Sequence, residues 1–297
     1  MREPLLDTSF LERLERLTLH WRKSFPGLVG GHNPSHYAGS GQEFLDHRVF
    51  HQGDDFRAVN WRAYLRLEKL FLKMFEVEPR VPVRLMLDVS DSMTVGNPPG
   101  TMTKFDLARR VAAALCYVGL VRLDTITLQP FSGRLLDPFV CGGGRHRFQP
   151  AEQFLRLLIP DGATNYLETI RQFIDEYPQR GLLIILSDFL DDGDCLRSLQ
   201  YLADFGHELL LLQIWGEEDR GPFGKGEMEL VDAESGDVLH LGLDEEAKRE
   251  YTAAFDKYCD GVRTLAQRNG GRYIGFSSSI PFEEAVFGSL TRTEGVA

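Results

Sequence analysis

Asp88, Ser90 and Ser92 alternate at the end of the apolar run in LMLDVSDSM, Leu85 to Met93. As a strand opens into a loop, this i, i+2, i+4 spacing can aim one carboxylate and two hydroxyls at a common point. Asp188 follows a second apolar run, GLLIILSDF (Gly181 to Phe189), and Thr164 sits in the loop GATN ahead of a helical pattern. Hard oxygen donors without imidazole or thiolate suit Mg²⁺, which prefers oxygen ligands and keeps several waters; Mn²⁺ is close enough that availability decides between them. Two carboxylates at most compensate such a cation, so an open position would favour an acidic oxygen from another molecule. Serine and aspartate after a strand are also ordinary turn and capping residues, and Asp-x-Ser-x-Ser alone is more often structural. The conjunction of Asp88, Ser90, Ser92, Thr164 and Asp188 at the mouth of one sheet favours the cation site.

That sheet follows from the order of elements. Val83 to Val89 is a short apolar run, as expected of a strand covered on both faces. Thr103-x-x-Asp106 resembles a capping box, opening a helix with Phe105, Ala108, Ala112 and Leu115 on one stripe. The alternation continues with strand 124–131 and a hairpin through LLDPFV, helices near 150–158 and 166–177, and strand 181–189. A helix over 194–205, strand 208–215, a long helix over 244–269 and strand 271–277 complete it. Residues 228–241 read as a hairpin insertion turned at Ser235-Gly236. The fold class is therefore α/β, a doubly wound and mostly parallel sheet, in which ligands bind outside the carboxyl ends of the strands.

Ahead of it, residues 1–80 read as a small α+β N-terminal unit, with the α/β domain over 81–297. Ser9-x-x-Glu12 suggests the cap of a first helix, and the glycines and prolines of Phe25 to Phe44 suggest loop. FLKMFEVE, Phe71 to Glu78, alternates as a half-exposed strand does.

Composition narrows the function classes. With 33 basic and 44 acidic residues the formal charge is -11, which argues against an electrostatic grip on nucleic acid or anionic lipid. The 4 cysteines stand far apart without a Cys-x-x-Cys pair, which suits a reducing cytoplasm rather than a zinc knuckle or a disulfide framework. No window approaches the ~20 apolar residues of a membrane span. Enzyme signatures fail in turn. A dehalogenase-type phosphohydrolase needs Asp-x-Asp, and Ser90 stands where the second acid belongs. No Walker-type phosphate loop, Gly-x-Ser-x-Gly elbow or His-Glu-x-x-His pair is present. CGGGRHRF (Cys141 to Phe148) reads as a turn, and His146, His207 and His240 as surface or packing residues.

The motif Asp88-Val89-Ser90-Asp91-Ser92, with Thr164 and Asp188, resembles the metal-ion-dependent adhesion site of von Willebrand factor A domains, over roughly residues 81–290. The resemblance implies divalent-metal-dependent protein binding without catalysis, the serines and threonine ligating the metal directly or through water and the acids completing or supporting the shell. It gives Asp91, Asp191 and Asp192 no fixed role. A decayed, purely structural site is the alternative, against which the complete donor set weighs.

Gly41 to Glu78 is similar to the hallmark of the domain-of-unknown-function-58 family, which precedes such a domain. The matching residues are Glu43-Phe44, Arg48 to Phe50, and Gly53-Asp54-Asp55-Phe56-Arg57 through Trp61. Phe50 replaces the usual tyrosine, and Asn60 stands where that family commonly has aspartate. The charges of Arg48, Arg57, Arg62, Glu43, Asp46, Asp54 and Asp55 suggest a paired network around Phe44, Phe56 and Trp61, clamping this unit in place. The family resemblance implies a bacterial adaptor or co-chaperone working with a MoxR-type AAA+ ATPase. With no membrane helix carried over from relatives that have one, the expected location is cytoplasmic.

Overall fold

The computed structural model describes residues 4–15, 35–38, 43–52, 54, 56, 59–77, 82–95, 101–191, 194–221, 224 and 226–289. Helix α1 covers residues 8–15. Its cap is Asp7, whose Oδ1 accepts from the Phe10 N–H at 2.7 Å, and not Ser9, whose hydroxyl itself donates to Asp7 at 2.8 Å. The chain divides into two compact units, Met1–Trp21 with Pro82–Ala297, and Arg22–Val81. This departs from the expected division in one respect: α1 belongs to the larger unit. There Phe10 packs on Phe282 with ring centroids 4.7 Å apart, and Tyr117 donates to Glu15 Oε1 at 2.5 Å.

In the smaller unit, β1 (Ser35–Ala38) and β2 (Glu43–Val49) both pair antiparallel with β3 (Phe71–Val77), and helix α2 (Trp61–Leu67) precedes β3. Strand β1 lies inside the passage expected to be loop; Ser35 to Ala38 is a short glycine-free stretch that finds its hydrogen bonds on β3. Arg48 pairs with Asp54 at 2.8 Å, and Asp54 also accepts from the His51 N–H at 2.7 Å. Arg48 is exposed and Asp54 partly so, and Phe56 and Trp61 are exposed. Asp55 and Arg57 lie outside the described residues, as do the side chains of Glu43, Phe44 and Asp46.

The larger unit is built on a six-stranded sheet. Its central strand β4 (Val83–Asp88) is followed by a 3-10 turn at Asp91–Thr94 and by helix α3 (Lys104–Val121). Thr103 caps α3, its hydroxyl accepting from the Asp106 N–H at 3.0 Å. Between Lys104 and Leu120 only Asp106, Arg109 and Arg110 escape burial, so this is a core helix whose polar face is confined to its first turns. Then follow β5 (Ile126–Phe131), β6 (Phe139–Cys141), α4 (Phe148–Leu157), α5 (Tyr166–Glu176), β7 (Leu182–Ser187), α6 (Cys195–Phe205) and β8 (Glu208–Trp215). A short α7 (Glu217–Arg220) leads to the hairpin β9 (Gly226–Val231) and β10 (Val238–Leu243), then to α8 (Glu245–Arg268) and β11 (Arg272–Ser277).

The strand order is β11-β8-β7-β4-β5-β6, parallel except for β6. Strands β5 and β7 flank β4, so the winding reverses between β4 and β7. At such a reversal the connections leave in opposite directions and open a crevice beyond the strand ends. The residues there are Asp88 and, just after β7, Asp188. Leu85, Met86, Leu87, Leu183, Ile185 and Leu186 are at most 2% exposed, and burying each contributes about 1.5–3 kcal/mol.

Candidate functional site

Asp88 is wholly buried and held from both sides. Its Oδ1 accepts from the Ser90 N–H at 3.0 Å and the Ser90 hydroxyl at 2.7 Å, and Ser90 Oγ lies 2.9 Å from Ser92 Oγ. Its Oδ2 accepts from the Ser187 hydroxyl at 2.6 Å, and the Tyr166 hydroxyl lies 2.5 Å from Ser187 Oγ. Asp88, Ser90 and Ser92 thus form one hydrogen-bonded chain. Burial first, and then the neighbouring Asp188, push the Asp88 carboxyl up to about 7, against the Ser187 and Ser90 hydrogen bonds that favour its charge.

Asp188 is placed differently. Its Oδ2 is 2.7 Å from Lys104 Nζ and its Oδ1 accepts from the Leu190 N–H at 3.1 Å. Lys104, itself 1% exposed, also reaches Asp219 at 2.8 Å. Burial alone would lower the Lys104 pKa; Asp188 and Asp219 outweigh it and hold the ammonium above its ordinary value. Burial likewise pushes Asp219 up, against the Lys104 charge. Between Ser187 and Asp188 on one side and α6 on the other, Phe189 adopts φ +56, a left-handed conformation rare for a large side chain. Its N–H donates to Ser187 Oγ at 2.9 Å and its carbonyl accepts from Tyr258 at 2.6 Å, which fixes the turn that aims Asp188.

Thr164 reaches the same edge through its loop. The Asp161 N–H donates to the Val89 carbonyl at 2.8 Å, the Asp91 N–H to the Gly162 carbonyl at 2.9 Å, and the Gly162 N–H to Asp91 Oδ2 at 3.2 Å. Asp91 therefore ties the two loops together. Thr164 itself is engaged by Glu234 from the β9–β10 hairpin, donating its N–H and its hydroxyl at 2.9 Å each.

Sequence reasoning missed Lys104, Ser187, Asp219 and Glu234. Only Lys104 left a local signal: a cation in the first turn opposes the helix dipole and calls for an acid nearby. Among the described residues no group of three His, Cys, Asp or Glu gathers as a metal cage. The donors available at Asp88, Ser90 and Ser92 are one carboxylate and two hydroxyls. That chemistry fits a hard divalent cation, whose charge would offset the cost of ionising a buried carboxylate next to Asp188. His207 is buried between the rings of Phe173 and Phe205, and His240 lies exposed beside Glu229, so neither joins the site.

A family model described as protein of unknown function DUF58 matches residues 46–258. The chain belongs to this family. Uncharacterized proteins of Mycobacterium tuberculosis and Mycobacterium bovis are each 24% identical to this DUF58 chain over 272 residues, covering 89% of it and 84% of their own length. Among solved structures, BatB from Bacteroides thetaiotaomicron is 18% identical with a TM-score of 0.42, covering 69% of this chain and 95% of its own. The SpRpn10 VWA domain is 12% identical with a TM-score of 0.37, covering 73% and 99%. An aerotolerance-related membrane protein from Bacteroides fragilis is 17% identical with a TM-score of 0.39, covering 72% and 100%. No helix among the described residues is long and apolar enough to cross a membrane.

Proposed function

We propose that this DUF58 chain is a divalent-metal-dependent protein-binding module and not an enzyme. Asp88, Ser90, Ser92 and Thr164 would hold Mg²⁺ or Mn²⁺ directly or through water, with Asp188 supporting from beside Lys104. When bound, the cation supplies a point of attachment for an acidic side chain of a partner protein. The observation that carries the reading is the Asp88–Ser90–Ser92 chain at the switch point, with contacts of 2.7 and 2.9 Å. The residues do the positioning: Ser187 and Tyr166 lock the Asp88 rotamer, Asp91 clamps the Thr164 loop, and Lys104 holds Asp188 in place through their 2.7 Å contact.

The partner we propose is a MoxR-type AAA+ ATPase, for which the chain would serve as a cytoplasmic adaptor or co-chaperone. The four buried, unpaired cysteines suit that compartment. The test is co-purification with a cognate MoxR ATPase, and its turnover, in Mg²⁺ and in chelator. Association that needs the metal and disappears in Asp88→Asn is expected; equal association in chelator, or none in Mg²⁺, would overturn the proposal.

A further inference from the structure

The hairpin β9–β10 buries almost nothing of its own. Of its strand residues only Leu243 is buried, while Val231, Val238 and Leu239 are more than half exposed. An isolated two-stranded hairpin of this kind is at best marginally stable, so its position depends on what its tip touches.

The tip is built to present one side chain. Asp232 Oδ1 accepts from the N–H groups of Glu234 at 2.9 Å and Ser235 at 2.6 Å, and the Asp232 carbonyl accepts from the Gly236 N–H at 3.0 Å. Gly236 takes φ +75, which a glycine adopts without strain. The Glu234 carboxylate then straddles Thr164, one oxygen on its N–H and the other on its hydroxyl. The two residues stand 70 positions apart. A carboxylate arriving from a partner would meet these same two donors.

We infer that Glu234 is a built-in carboxylate occupant of the site, which closes the hairpin over Thr164 in the resting chain and ligates or directly supports the cation. An external acidic side chain gains the site by displacing it. The closure stands on the Glu234–Thr164 geometry alone; the metal part rests on the function proposed above.

Two measurements separate them. In chelator, hydrogen exchange of residues 226–243 and of the Thr164 amide is compared between wild type and Glu234→Ala. The variant changes an exposed turn, and its fold is checked by circular dichroism. Loss of the amide's own hydrogen bond to the Glu234 carboxylate predicts exchange at Thr164 faster by about ten- to a hundredfold, and unchanged exchange overturns the closure. In the second, Mg²⁺ alone is titrated into wild type and Glu234→Gln. Affinity about tenfold weaker in the variant is expected, and equal affinity overturns the role at the cation. A wild type that binds no Mg²⁺ overturns the metal reading, and the exchange comparison still decides the closure.

Discussion

Asp88 and Asp188 end neighbouring parallel strands at 0% and 1% exposure, yet their charges are met in opposite ways. Asp188 has a fixed cation, the Lys104 ammonium at 2.7 Å, shared with Asp219. Among the described residues Asp88 meets only neutral donors, from Ser90 and Ser187, and its carboxyl is pushed up to about 7. A buried carboxylate held by hydroxyls could still accept a cation, whereas a carboxylate already paired is part of the frame. Under the proposed function the β4 end would recruit the cation, and the β7 end would supply rigidity.

The largest effect should come from breaking the frame. Lys104→Met leaves the buried Asp188 and the half-buried Asp219 without their counter-charge, and loss of one partner of a buried pair costs about 3–5 kcal/mol. Urea denaturation should show that loss, and the double variant Lys104→Met, Asp188→Asn should recover part of it. A single variant within 1 kcal/mol of wild type would mean that Lys104 is not the frame's cation.

A smaller effect reads Asp88 by pH. The folded-state pKa of Asp88 is raised, so between its ordinary value of 3.8 and about 7 the folded chain binds more protons than the unfolded one. Stability in chelator should therefore fall as pH rises from 5 to 8. In Asp88→Asn that slope should flatten, because the titrating group is gone. An identical slope in the two proteins would place the titration elsewhere.

How much of this was legible in the sequence depends on range. The sheet was readable because strands covered on both faces leave unbroken runs such as Leu182 to Leu186, and because Thr103 marks a helix start with a side chain that accepts from the third residue on. The Asp-x-Ser-x-Ser chain was readable because its contacts span two residues. Lys104–Asp188 spans 84 residues and Thr164–Glu234 spans 70, and no local pattern encodes either. Strand β1 escaped notice because its neighbours are rich in glycine and proline, which outweigh four residues of pattern. The Asp7 cap was misplaced by two residues because Ser9 offers an equally good capping side chain, and only packing of Phe10 and Leu14 decides the register.

The smallest expected effect is at Ser187. Ser187→Ala removes the Oδ2 donor and leaves the Tyr166 hydroxyl without its partner, for a loss of about 1–3 kcal/mol. It should also move the Asp88 titration to still higher pH, which a carboxyl-resolved NMR titration reads; a downward move would contradict the role assigned to this hydrogen bond.

The central claim is tested most directly by calorimetric titration of Mg²⁺ and Mn²⁺ at pH 8, where Asp88 is ionised, into chelator-treated wild type and folded Asp88→Asn and Ser90→Ala variants. The account predicts one site per wild-type chain and none in Asp88→Asn. Equal binding in wild type and Asp88→Asn, or no binding in either, would contradict it.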